Sequence, residues 1–215
     1  MIEARKVIQG TIMSGVIVLL PACGNLLSLH MPQLWLIFII GILANIFQPS
    51  YKPFDKSAPS LDRGTALQNL WTACLLQLAA IIEAVYFRYP KSFDWDTIVT
   101  LSFVIMVLGL ILRSWAVFTL GRFFTWHVEV QSDQKVIRCG PYRFVRHPSY
   151  TGAIMTYFFG TIFLHAWVSA CLALILLPLT FMRRIRLEET TLKNSLGKEY
   201  EVYCREVKAL IPGIW

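Results

Sequence analysis

Charge is scarce in this chain. Acidic and basic residues make up 15% of its 215 residues and 56% are hydrophobic, whereas soluble domains carry about 25% charged residues. That balance excludes an ordinary soluble domain and indicates a membrane protein. The five cysteines, Cys23, Cys74, Cys139, Cys171 and Cys204, include no CxxC pair, so reduced packing residues are expected, not a disulfide framework. None of the four histidines is paired at ligand spacing, and no metal is expected. Glycine-rich phosphate loops, a Ser/His/Asp order, internal repeats, low-complexity tracts and nucleic-acid motifs are also missing, so no nucleic-acid partner is expected.

What remains is long apolar runs. A hydrocarbon core of about 30 Å takes roughly 20 helical residues, and the pattern predicts helices over 11–29, 33–47, 66–87 and 98–120. Residues 151–182 form a further apolar run of 32. One tilted span takes at most about 25 residues, so a tight helical hairpin turning near His165 and Ala166 fits best, with arms barely long enough to cross. Pro21 interrupts the first helix and Pro178 the last, as membrane helices tolerate when neighbours satisfy the freed carbonyl. The expected fold is all-α: a multi-pass transmembrane helical bundle of about six spans, the last two a tight hairpin. It forms a single membrane domain over 1–215, with N-terminal helices over 1–97 and a second part over 98–215 that carries the polar segments.

Arg5 and Lys6 before an apolar stretch resemble a signal peptide, but the spans that follow favour an uncleaved first helix. If these two cations face the cytoplasm and six crossings alternate, the inside collects all of the 20 cations except Arg88, Lys91 and Arg113. Lys52 and Lys56 count among those inside. Both termini and the polar segments then share the cytoplasmic side, in a bacterial inner membrane or in the endoplasmic reticulum of a eukaryote. The net charge of +7 is thereby explained by anionic headgroups of the lipid bilayer, each juxtamembrane cation contributing about 1 kcal/mol.

Three segments gather polar groups at that edge: GRFFTWHVEVQ (121–131), KVIRCGPYRFVRHPSY (135–150) and RRIRLEE (183–189). Arg184 and Glu188 stand four apart on one helical face; an exposed pair of this kind is a surface bridge, but at membrane depth ionisable groups tend to be functional. Pro148 suits the first turn of a helix. His147 then lies at its cap, with the N–H groups of Ser149, Tyr150 and Thr151 forming an anion site; the alternative is an ordinary helix start with interfacial anchors. Arg122 and His127 either join the same pocket or, with Trp126, anchor the headgroup region. Glu83 and Arg113, the ionisable groups inside spans, are free to pair.

Together, GPYRFVRHPSYTG, RRIRLEE and LGKEYEVYCREVKALIPGI resemble the isoprenylcysteine carboxyl methyltransferase family, within the membrane methyltransferases that include phospholipid N-methyltransferases. The likeness spans residues 113–214 and joins RHPxYxG to RxxxEE and GxxYxxY. It implies S-adenosyl-L-methionine as cofactor and an amphiphilic or prenylated methyl acceptor. The implied cofactor residues are Gln134, Lys135, Val136, Ile137, Tyr142, His147, Pro148, Ser149, Tyr150 and Glu188. A further family glutamine falls on Gln131, with Val130 as the rival, because the chain is shorter here. The family's arginine near the reacting carboxylate falls on Arg184, so Arg184 and Glu188 are the catalytic candidates.

The chemistry agrees with that assignment. A sulfonium cofactor carries an ammonium, a carboxylate and an adenine, which Glu188, the His147 helix end and the backbone of 134–137 suit, with aromatic rings for cation–π contact. An acceptor that is already a carboxylate needs alignment and water exclusion rather than acid–base help. Three other readings stay open: a phospholipid or amine N-methyltransferase, an NADPH-dependent sterol-reductase-like enzyme, which shares an RHPxYxG-like motif, and a non-catalytic transporter or assembly factor.

Overall fold

The computed structural model describes residues 4–48, 62–131 and 133–213. Lys52 and Lys56, used above for orientation, lie outside them. The described residues are mostly helical, with no strand among them. Among the described residues six long helices build the bundle: α1 (Ala4–Ala22), α2 (Pro32–Ile46), α3 (Thr65–Phe87), α4 (Thr97–Leu120), α5 (Pro148–Phe163) and α6 (Trp167–Leu196). A short amphipathic α7 (Lys198–Glu206) follows. By length and composition, α1, α3, α4 and α6 are long and apolar enough to cross a membrane, while α2 and α5 have 15 and 16 residues.

The first helix starts seven residues before its expected position and ends at Ala22 rather than Leu29. Arg5, Lys6 and Gln9 are good helix formers, so the helix runs outward past the apolar stretch. Its end follows Pro21, which has no N–H, and the π turn Gly15–Leu19 before it; residues 26–30 form a separate 3₁₀ turn. Pro178 stays inside α6 without ending it. The hairpin between α5 and α6 turns at Leu164–Ala166, where His165 adopts φ +48°. At 1.5 Å per residue the 30 residues of α6 run about 45 Å, so its polar second half projects well past the apolar layer.

Side chains tie the two ends of the bundle differently. At the hairpin end, the buried Glu83 carboxylate accepts the N–H groups of Val168 (3.0 Å) and Ser169 (2.8 Å) and the Ser169 hydroxyl (2.9 Å). This satisfies orphan donors of α6 and complements its dipole. Gln33 Nε2 donates to Phe93 O at 2.7 Å beneath a core of Leu34, Ile81, Val85, Val99, Phe163 and Leu164. The anticipated Glu83–Arg113 pair does not form, because Arg113 is near the opposite end, donating to Ser149 O at 3.0 Å. At that opposite end α4 and α5 cross closely. A Cβ on Gly152 would stand 2.5 Å from Gly109 O, and one on Gly109 would stand 2.7 Å from Gly152 O. Glycine at both positions is what permits this approach.

Candidate functional site

The α4–α5 crossing sets the C-terminal end of α4 beside the first turn of α5 and the polar half of α6. Loop 121–147 and α7 close around them, leaving a cleft lined by backbone and side chains of Val130, Gln134–Ile137, Tyr142, His147, Ser149, Tyr150, Arg184, Glu188 and Tyr200, with Phe124 and His127 among the rest. Its cavity volume is about 80 Å³, and it opens to solvent.

Polar groups converge on its floor. Tyr150 Oη donates to Glu188 Oε2 at 2.6 Å and accepts from Arg184 Nε at 2.7 Å. The same Arg184 donates through Nη1 to Asp62 Oδ1 (3.0 Å) and Thr65 Oγ1 (3.1 Å), and through Nη2 to Trp126 O (2.6 Å). Four of the five guanidinium N–H groups are therefore committed. Asp62 in turn accepts Ala66 N at 3.2 Å and Val128 N at 3.1 Å. Burial alone opposes its ionisation, but those amides, the Arg184 charge and the Thr65 hydroxyl outweigh it and hold the Asp62 carboxyl below the usual carboxylate range.

The two adjacent glutamates differ sharply. Glu189 is clamped by Arg146 (Nε 2.8 Å, Nη2 2.7 Å) and His147 Nε2 (3.1 Å), with its side chain 14% exposed. Glu188 keeps 30% exposure and lines the cleft, with Tyr150 as its hydrogen-bond donor. His147 stacks on Tyr150 with an interplanar angle of 9°. Its carbonyl accepts the N–H groups of Tyr150 (3.0 Å) and Thr151 (3.1 Å). The anticipated three-amide anion cap is thus reduced to the Ser149 amide, since the other two close the first turn of α5.

The chain beyond α7 straps this segment. Arg146 N donates to Lys208 O (2.8 Å) and His147 N to Ala209 O (2.9 Å), a parallel bridge pairs Val145 with Lys208, and Thr151 Oγ1 donates to Leu210 O. Tyr203 Oη reaches Tyr142 O at 2.6 Å, and Arg138 pairs with Glu206. Burial first, then the Glu188 charge, pushes the hydroxyls of Tyr142 and Tyr200 up, so both stay neutral.

Residues 100–194 match the isoprenylcysteine carboxyl methyltransferase family. Protein-S-isoprenylcysteine O-methyltransferase B of Arabidopsis thaliana is 31% identical over 137 residues, 63% of this chain and 68% of that one. The chain belongs to the isoprenylcysteine carboxyl methyltransferase family. A probable protein-S-isoprenylcysteine O-methyltransferase of Oryza sativa subsp. indica is 32% identical over 139 residues, covering 64% of this chain and 72% of its own. An uncharacterized Bacillus subtilis protein, YpbQ, is 27% identical over 121 residues, covering 56% and 69%. The family match runs from α4 through most of α6, so it takes in most of the cleft but leaves Tyr200, Asp62 and the first three helices outside.

Of the residues the family resemblance singled out, Gln134, Lys135, Val136, Ile137, Tyr142, His147, Ser149, Tyr150, Arg184 and Glu188 come together around the cleft. Gln131 and Pro148 are not on its wall. Gln131 staples the loop instead, donating through Nε2 to Arg122 O (2.8 Å) and through its amide to Gln134 Oε1 (3.1 Å), and Val130 takes the wall position. Pro148 is fully buried at the start of α5. Arg122 pairs with Asp133 at the surface, whereas His127 joins the wall. Asp62 was not anticipated: its partner is 122 positions away, and the only local hint is an acid three residues before the start of α3 with Thr65 following. Tyr200 and Tyr203 stood in the quoted GxxYxxY motif but were assigned no place in the pocket.

Proposed function

We propose that this protein transfers a methyl group from S-adenosyl-L-methionine to the carboxylate of an isoprenylcysteine-like amphiphile at the membrane. The observation that carries this reading is the half-held Glu188: a carboxylate facing a cleft, partnered by one tyrosine and left with acceptor capacity for a cationic ligand. The donor set suits the cofactor. Glu188 holds its ammonium, the backbone of 134–137 meets the adenine edge, and the Ser149 amide beside His147 takes its carboxylate. Tyr142, Tyr150 and Tyr200 offer ring faces to the positive sulfonium region.

When bound, this cofactor supplies a methyl whose bond to sulfur breaks as an acceptor oxygen forms the new bond, leaving S-adenosylhomocysteine and a methyl ester. An acceptor carboxylate has no proton to lose, so its methylation calls for no base. The protein's work is then alignment and exclusion of water. Arg184 holds Asp62, Tyr150 and the Trp126 carbonyl in place, and so keeps Glu188 aimed at the cleft. The bundle crosses six times, with the short α2 and α5 tilted little, and the cleft and both termini face the cytoplasm.

Calorimetry on the detergent-purified protein tests this. S-adenosylmethionine and S-adenosylhomocysteine are expected to bind at micromolar concentration and Glu188→Ala to abolish the binding. Binding of NADPH with no adenosyl ligand bound would overturn the reading in favour of a reductase.

A further inference from the structure

A second cavity lies apart from the cleft. Its volume is about 440 Å³, in the range of small-molecule sites, about 300–1,000 Å³, and no residue lines both spaces. On α1 its wall is Lys6, Gln9, Met13 and Ile17, and on α3 Ala73 and Gln77, at intervals of three and four that lay one face of each helix along it. From Lys6 to Ile17 the slot runs roughly 17 Å, more than half of a hydrocarbon core of about 30 Å. It therefore has the length of one lipid chain standing in one leaflet, with a polar mouth at the start of α1 and an apolar body.

Two groups on this wall lack partners. Lys6 is half-buried at the mouth and has no acidic partner among the described residues. Gln77 stands about 18 Å along α3 from Thr65, and its Nε2 is buried with no hydrogen-bond acceptor among the described residues. Its Oε1 lies against α5, where a Cβ on Gly160 would stand 3.3 Å away. An orphan amide donor at membrane depth is costly, and polar groups kept there mark functional sites. A plain hydrocarbon chain in the cavity would leave that donor unsatisfied.

We propose that this cavity is a second ligand site, separate from the methyl-transfer cleft, for a single-chain amphiphile with an anionic head at Lys6 and an oxygen function partway along its chain that accepts from Gln77 Nε2. A hydroxyl or a keto group fits that role. The terminal torsion of glutamine is soft, so the carboxamide can turn to meet it, and a cation at the membrane edge attracts the anionic head. The site does not depend on the methyltransferase reading above.

The test is displacement of a radiolabelled mid-chain hydroxystearate from the full chain in detergent by unlabelled hydroxystearate, stearate and stearyl alcohol, on the wild type, Gln77→Leu and Lys6→Gln. The wild type is expected to favour hydroxystearate over stearate at least tenfold, and stearate over stearyl alcohol at least threefold. Gln77→Leu should lose the first preference and keep the second, Lys6→Gln should do the reverse, and affinity for S-adenosylhomocysteine should be the same in all three proteins. If Gln77→Leu does not fold, Gln77→Met serves with the same expectation. A wild type that does not distinguish hydroxystearate from stearate overturns the proposal, as does a preference for the hydroxyl that survives the loss of the Gln77 amide. Displacement of the hydroxystearate by S-farnesylated N-acetylcysteine would give the cavity to the methyl acceptor and overturn its separateness.

Discussion

The Tyr150 hydroxyl stands 2.6 Å from Glu188 Oε2, and it is the group that fixes where that carboxylate points. Because Arg184 Nε donates to the Tyr150 hydroxyl oxygen at 2.7 Å, the tyrosine proton is directed at Glu188. A Tyr150→Phe variant should therefore free Glu188 to rotate. Affinity for S-adenosylhomocysteine should fall about tenfold, in keeping with roughly 1.5 kcal/mol for a hydrogen bond to a charged group, while Glu188→Gln, which removes the charge itself, should cost more. Titration calorimetry on both variants would show it, and equal affinities for Tyr150→Phe and wild type would refute the coupling.

The Asp62–Arg184 pair is a stability element as well as part of the site. Removing the acid leaves a buried guanidinium uncompensated, so Asp62→Asn should destabilise the protein by about 3–5 kcal/mol, read as a lower thermal midpoint in detergent. The Asp62→Asn/Arg184→Met double variant should recover part of the loss, a coupling that only a direct pair produces. The pH dependence has a definite sign. The folded carboxyl ionises below its ordinary value, so its contribution is complete above about pH 4, the unfolded value, and disappears as pH falls through the depressed one. Asp62→Asn should flatten that acid limb.

Gly152 tests how the crossing positions the site. An added methyl would meet Gly109 O at 2.5 Å and Arg113 N at 2.7 Å, both backbone atoms that cannot move aside cheaply. Gly152→Ala should cost about 1–3 kcal/mol through overpacking. It should also weaken cofactor binding, since Ser149 is on the same turn of α5. Thermal unfolding and calorimetry run side by side would separate the two effects.

How much of this could be read in the sequence depended on the range of the interaction. The α5–α6 hairpin was legible because 32 apolar residues exceed one span, and the turn falls at His165 as expected. The convergence of RHPSY, RxxxEE and 134–137 came from motif resemblance, since those segments are separated by helices whose packing no local pattern reveals. Asp62 was illegible: a lone acid before a helix is an ordinary cap, and only the fold brings Arg184 to it. The choice between Gln131 and Val130 turned on a loop with no periodicity, where backbone geometry alone decides which side chain faces inward. Glu83 and Arg113 looked like partners because they are the ionisable groups in spans, but helix direction puts them at opposite ends.

That loop provides a direct test. Val130 lines the cleft while the Gln131 side chain donates to Arg122 O. Val130→Trp should fill the wall and lower affinity for S-adenosylhomocysteine at least tenfold, whereas Gln131→Ala should lose one exposed hydrogen bond, about 1 kcal/mol, with affinity changed less than threefold. The reverse pattern in calorimetry would return Gln131 to the pocket.

The C-terminal strap should matter as much as the motif it holds. Lys208 and Ala209 supply the carbonyls that accept the Arg146 and His147 amides, and Leu210 the one that accepts the Thr151 hydroxyl. Without them, two amides next to the helix start lose their acceptors and Arg146 loses the Val207 carbonyl, so the turn that presents Ser149 and Tyr150 is no longer fixed. Ending the chain after Glu206 keeps α7, Tyr200 and Tyr203. It should nevertheless reduce cofactor affinity by tenfold or more, while leaving the hairpin-end core of Phe163, Leu34 and Ile81 folded. Hydrogen exchange would distinguish this from global unfolding: faster exchange confined to residues 140–151, with α3 and α4 still protected, is the expected result, and undiminished affinity in the truncated protein would show that the strap does not position the site.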